Sequence, residues 1–208
     1  MKSARKSENV SIESSKVTVA DREERFGQKS VTLWMTGLSA SGKSTIARAV
    51  ESTVFSNGHV VYWLDGDNVR MGLNRDLGFS PQDREENIRR IAESARLFND
   101  AGLIVIAAFI SPYRADRQKA RQIIGEDRFV EVFVDCPLSV CEERDPKGLY
   151  EKARRGEITE FTGITAPYET PLEPDLVLRT GKESISASVS HVMRLLDSRR
   201  VFMALADG

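Results

Sequence analysis

The chain has 208 residues, 40% of them hydrophobic and 29% charged, with a formal net charge of −1. That composition suits one soluble α/β domain with a sizeable core, and it excludes a global basic field that would draw the chain to nucleic acid or a membrane surface. No apolar run reaches the length of a membrane span, and two cysteines, Cys136 and Cys141, cannot build a disulfide framework or a cysteine-rich zinc site.

Met1 to about Gln28 is rich in Ser, Glu, Lys and Arg and has no apolar leader, so residues 1–28 read as a mobile arm. Ser30 to Thr36 is the first expected strand and runs into a glycine loop. A helical pattern follows from Thr45 to Phe55, then an Asn57-Gly58 turn and a second strand, His59 to Asp65. From Ser80 to Asp100 the apolar residues Ile88, Ile91, Ala92, Ala95 and Phe98 fall on one helical face. Ser80, Pro81 and Asp83 read as the start of that helix and Gly102 as its stop. Leu103 to Ile110 is apolar throughout, as in a parallel strand covered on both faces. Phe129 to Asp135 and Asp175 to Thr180 complete five strands. Strand and helix alternate, which predicts an α/β fold with a five-stranded parallel sheet and helices on both faces. The basic, loop-rich stretch at about 144–174 is too long for a plain connection and reads as a lid. The domain is bounded at about 29–200, with 201–208 as a tail.

The chemistry starts at Gly37 to Ser44, GLSASGKS, which matches G-x-x-x-x-G-K-[ST] between a strand and a helix. Backbone N–H groups of such a loop wrap phosphate oxygens, Lys43 supplies charge to the β- and γ-phosphates, and the Ser44 hydroxyl can ligate Mg²⁺. A guanine-reading N-K-x-D is absent. DPKG, Asp145 to Gly148, comes too late in the chain for a GTPase switch. At the carboxyl end of the second strand, LDGDNVR places Asp65, Asp67, Asn68 and Arg70 at the edge where open α/β sheets bind ligands. Those groups suit a hydroxyl nucleophile and an anionic acceptor; Asp and Asn there also suit a turn and a helix cap.

These motifs, with DLGFSPQDREENIRR, AFISPYR, VFVDCPLSVCEERDPKGLYEKARRGEITEFTG and the PYE of Pro167 to Glu169, resemble the adenosine 5′-phosphosulfate (APS) kinase family. The resemblance runs from about Lys29 to Thr180. It implies a three-layer α/β P-loop kinase, its five strands in the order 2-3-1-4-5, that uses ATP and Mg²⁺ to phosphorylate APS on its 3′-hydroxyl, giving 3′-phosphoadenosine 5′-phosphosulfate (PAPS) in sulfate assimilation. It implies nucleotide contacts from Gly37, Ala40, Ser41, Gly42, Lys43, Ser44 and Thr45, with Ser44 on the metal. It implies APS contacts from Asp67, Asn68, Val69 and Arg70, from Phe79, from Arg84, Glu85, Glu86 and Asn87, from Ile110 and Ser111, and from Lys147, Glu160 and Phe161. Phe79 and Phe161 would clamp the flat base, while each alone also reads as a core aromatic. Lys43, Asp65 and Ser111 are the catalytic candidates. The family describes a phosphoserine at the position of Ser111; Ser111-Pro112 also reads as a helix cap that touches substrate. Ala40 stands where a glycine is frequent, a departure that is expected to be tolerated if its φ is negative. A homodimer follows from the resemblance, and a reducing cytoplasm from the unpaired thiols. Arg144, Arg154 and Arg155 read equally as lid arginines or as a solvated face. His59 reads as a turn or surface residue. Two rivals stay open: another small-molecule P-loop kinase, and a nucleotide-binding regulator without transfer chemistry.

Overall fold

A computed structural model describes Glu13 and residues 15–203. The alternating apolar strands pair as one parallel sheet. β1 (Thr32–Thr36) is central, flanked by β3 (Ile104–Ala108) and β4 (Phe129–Asp135), with β2 (Val61–Asp65) and β5 (Leu176–Arg179) at the edges. The order is β2-β3-β1-β4-β5, as the P-loop kinase resemblance implies.

Because successive strand side chains point to opposite faces, β1 feeds two cores. Leu33 and Met35 join Ile46, Ala47, Val50 and Val54 of α2 (Lys43–Ser56) and Val192 and Leu196 of α8 (Ile185–Ser198). Trp34 points the other way, among Ile88, Ile91, Ala92 and Ala95 of α4 (Pro81–Asp100) and Ala120 and Ile124 of α5 (Arg114–Ile124). The apolar face read from Ile88 to Ala95 is the buried face. A third cluster joins Cys136 and Cys141 to Tyr150, Ala153 and Phe161 of the lid region, and both thiols are free and buried.

Several boundaries move. The arm expected at 1–28 contains a helix, α1 (Val19–Phe26), closed at its start by a Thr18–Asp21 capping box and at its end by Gly27 at φ +60°. Gln28 is fully buried and donates to the carbonyls of Val60 and Gly102 at 2.8 and 2.9 Å. The polar composition of α1 hides this anchoring, which rests on hydrogen bonds although no residue of the helix itself is buried. Met1 to Ile12 lie outside the described residues. The tail expected at 201–208 starts inside the fold: Val201 is buried, Lys29 N–H donates to the Val201 carbonyl, and Met203 N–H donates to that of Gly27. Residues 204–208 lie outside the described part. His59 is not a free surface residue, since its ring stacks on Phe202 at 4.4 Å. The lid stretch holds one short helix, α7 (Leu149–Arg154), and α6 (Leu138–Arg144) leads into it.

Candidate active site

The carboxyl ends of the strands open into one cavity of about 1480 Å³. A single small-molecule pocket measures roughly 300–1,000 Å³, so this one has room for two nucleotide-sized ligands.

At one end the loop between β1 and α2 curls around the α2 N-terminus. Gly37 is required there, because a Cβ would stand 2.5 Å from the Val134 carbonyl oxygen. Ala40 has φ +56°, so the condition for an unstrained alanine is not met and it sits in the left-handed region that costs a non-glycine residue about 1–2 kcal/mol. Lys43 is buried, and its Nζ donates to the carbonyls of Gly37 at 3.0 Å and Leu38 at 2.6 Å. Burial lowers its ammonium from 10.5 to about 8. Gly37 and the buried Ser41 lie behind the cavity wall; Ala40, Gly42, Lys43, Ser44 and Thr45 form it.

Asp65 closes β2 beside this loop. One carboxylate oxygen accepts from Ser44 Oγ at 3.0 Å; the other accepts from Asp67 N–H at 3.1 Å and caps α3 (Gly66–Met71). The cap read at Asp67 or Asn68 is supplied by Asp65 itself, which leaves Asp67 and Asn68 on the cavity wall. Ser44 and Asp65 together offer hard oxygen donors that fit Mg²⁺. Among the described residues no cluster of three His, Cys, Asp or Glu side chains exists for a metal. An ion here would depend on those two groups plus phosphate and water oxygens.

The far end is cationic and aromatic. The Arg70 guanidinium lies 4.4 Å from the Phe79 ring centroid and donates to the carbonyls of Leu77 and Gly78. Phe79 is 62% exposed, so its ring is not a core aromatic. Phe161 is buried edge-on to Tyr150 at 5.0 Å, yet lines the cavity. Arg84 spans from the Phe79 carbonyl to the Glu160 carbonyl, both at 2.9 Å. Asn87 accepts from Asn74 Nδ2 at 3.0 Å. Lys147 pairs with Asp67, tying the lid to α3.

Three expected APS contacts do not wall the cavity. Val69 packs into the core. Glu85 pairs with Lys119 on α5. Glu86 pairs with Arg89 and Arg90, and the Arg89 hydrogen bond holds its carboxyl down at about 2. Helical spacing separates them from Arg84 and Asn87, which share the cleft face. Ser111 is not a helix cap, since α5 begins at Arg114 after Tyr113. Ser111 is 2% exposed with φ +40°, and its Oγ accepts from Trp34 Nε1 at 3.1 Å. Of the lid arginines, Arg144 reaches the cavity and donates to the Thr180 carbonyl at 2.7 Å. Arg154 and Arg155 pair with Glu142 and Glu151 at the surface.

Sequence reasoning passed over Arg48, Trp63, Thr180, Glu183, Ile185 and Ser188, which also line the cavity. It also passed over Asn74, which is buried behind Asn87. No motif marks these residues.

Residues 29–179 match the family model described as Adenylylsulphate kinase. The chain is 59% identical to the adenylyl-sulfate kinase of Lactiplantibacillus plantarum over 92% of each chain. It is 55% identical to that of Enterobacter sp., over 93% of this chain and 96% of the relative. Among solved structures it is similar to the Mycobacterium tuberculosis APS kinase CysC in complex with AMPPNP and APS. That match has 50% identity and a TM-score of 0.78, and covers 82% of this chain and 99% of the other. With one family model across most of its length and relatives more than half identical nearly end to end, this chain belongs to the adenylyl-sulfate kinase family.

Proposed function

We infer that this chain transfers the γ-phosphoryl group of ATP to the 3′-hydroxyl of APS, giving PAPS and ADP. The observation that carries this reading is the single cavity itself. A phosphate loop forms one end, an arginine-bracketed aromatic forms the other, and Asp65 stands between them.

ATP lies with its phosphates on Gly37 to Thr45, where the α2 N-terminus and Lys43 meet negative charge. Ser44 and Asp65 would hold Mg²⁺, which would supply positive charge against the phosphates of the nucleotide. APS lies across the ends of β2 and β3. Its base stacks on Phe79 against Phe161. Arg70, Arg84 and Lys147 meet its phosphosulfate, and Asn68, Asn87, Ile110, Ser111 and the Glu160 segment fix its orientation. Asp65 orients the 3′-hydroxyl and accepts its proton in an in-line attack. Arg144 adds positive charge from the lid.

Direct transfer is favoured over a phosphoserine on Ser111 by one observation. Its Oγ is buried and already accepts from the Trp34 indole, and among the described residues no side-chain base is hydrogen-bonded to it. A homodimer is the assembly proposed, by analogy with the family. Cytoplasmic sulfate assimilation is the proposed setting, supported by two free thiols and by the lack, among the described residues, of any helix long and apolar enough to cross a membrane.

A coupled ADP-release assay over a panel of acceptors tests the reading: APS, AMP, gluconate and shikimate. ADP release confined to APS, with PAPS as product, is expected. Turnover with a sugar acid, or tight ATP binding with no transfer to any acceptor, would sink it.

A further inference from the structure

The turn after β3 is held in a conformation that its own sequence does not favour. Ser111 has φ +40° although it carries a Cβ, and such a backbone persists only where its surroundings over-determine it. Three buried donors do so. Thr36 Oγ1 donates to the Ile110 carbonyl at 2.7 Å, Trp34 Nε1 donates to Ser111 Oγ, and Arg117 Nη1 donates to the Ser111 carbonyl at 2.7 Å.

Of these, Arg117 is the only charged group and is 3% exposed. Its Nε is anchored on the Glu131 carboxylate of β4 at 2.7 Å. Its Nη2 donates to the Glu169 carbonyl at 2.7 Å, in the segment that returns from the lid. One planar fork therefore sets three things at once: the cavity floor, the far anchor of the lid, and their position on the sheet. Only a guanidinium offers donors in that geometry. Neither Arg117 nor Glu131 lines the cavity.

We propose that Arg117 is a positioning residue for phosphoryl transfer: it holds the Ile110–Ser111 turn in its left-handed form and links that turn to the end of the lid at Glu169. The proposal rests on the reading of this turn as the floor of the acceptor site. Loss of the fork lets Ser111 relax to negative φ, which redirects the peptide groups that face APS. The ATP end, built on the β1–α2 loop, is untouched.

Steady-state kinetics of the full chain test this. Arg117→Lys keeps a charge opposite Glu131 but cannot serve three acceptors in one plane. It is expected to lower kcat/KM for APS by about 10- to 100-fold, as small misplacements at a reacting centre do, while KM for ATP stays within about twofold. Glycine takes positive φ without enforcement, so in a Ser111→Gly background Arg117→Lys costs under about threefold. Equal costs in the two backgrounds overturn the proposal, as does a loss confined to the melting temperature. A rise in KM for ATP with that for APS unmoved instead overturns the reading of the turn as the acceptor floor. Glu131→Gln is the second variant, for the case where Arg117→Lys does not fold. It retains the side-chain shape and is expected to lower kcat/KM for APS several-fold; no change there overturns the proposal equally.

Discussion

Replacing Ser111 with alanine removes one hydroxyl and leaves the Trp34 indole N–H, fully buried in the second core, without its acceptor at 3.1 Å. An unsatisfied buried donor costs about 1–3 kcal/mol. The strain at φ +40° does not change, because serine and alanine carry the same Cβ. For a domain of this size 1 kcal/mol moves the melting temperature by about 2–4 °C, so a fall of roughly 2–12 °C is expected in a thermal melt. Activity follows a different course. The variant keeps Lys43, Asp65 and the Arg117 bond to the Ser111 carbonyl, so turnover should stay within about tenfold of the parent, the size of one lost substrate hydrogen bond. Initial rates with both substrates varied, alongside an acid-quench search for phosphoenzyme, measure this. An intersecting kinetic pattern with no phosphoserine is expected. A variant as inactive as Lys43→Ala, with a kinetically competent phosphoserine in the parent, would refute the reasoning and make Ser111 the nucleophile.

Lys43→Ala should lower kcat by on the order of 10²-fold or more with the fold intact by circular dichroism; near-normal turnover would remove the loop from the chemistry. Lys43 also predicts a pH dependence. Its folded value, about 8, lies below the unfolded 10.5, so between those values the unfolded chain holds a proton that the free folded chain has released, and this group adds stability as pH rises through that window. Nucleotide phosphates favour the ammonium. ATP binding should therefore take up a proton and weaken above about pH 8, seen by calorimetry in buffers of different ionisation enthalpy; pH-independent affinity from 7 to 9 contradicts it. Arg84→Ala and Asn87→Ala should each weaken APS binding about tenfold and spare ATP binding, and parallel loss of both affinities would mark the damage as structural. Ala40→Gly relieves a left-handed alanine but loosens the unfolded chain, for a net gain of up to about 1 kcal/mol; a lower urea midpoint contradicts it.

The sheet was legible because its signals are redundant. Leu103 to Ile110 is apolar on both faces, and Gly37 to Ser44 carries a phosphate loop in a local motif that needs no tertiary context. Asp65, Arg70, Phe79, Arg84 and Lys147 were legible as a set through family resemblance, and the structure brings all of them to one cavity. What was not legible depends on direction. DREEN reads as one motif, but 100° per residue sends Glu85 and Glu86 away from the face that carries Arg84 and Asn87. Ser111-Pro112 has the composition of a cap, yet the helix starts later because the turn is bent by Arg117, Trp34 and Thr36, residues distant in sequence. Composition misjudged α1 for a related reason: Gln28, Glu23 and Arg22 attach it through polar bonds to partners that no local pattern reveals.

The pairing of Gly27 with Met203 and of Lys29 with Val201 has a consequence for protein engineering. Gly27, just after α1, and Met203, the last described residue, lie side by side at the amino edge of the sheet, where Gln28 grips Val60 and Gly102, while the cavity opens at the carboxyl edge. A partner domain spliced to either end, or to both at once, would stand behind the catalytic mouth rather than across it. The same proximity suits joining the two ends by a short linker and reopening the chain at an exposed turn such as Asn57-Gly58. The domain is in this sense a cassette, its wiring gathered at the back and its working face left clear.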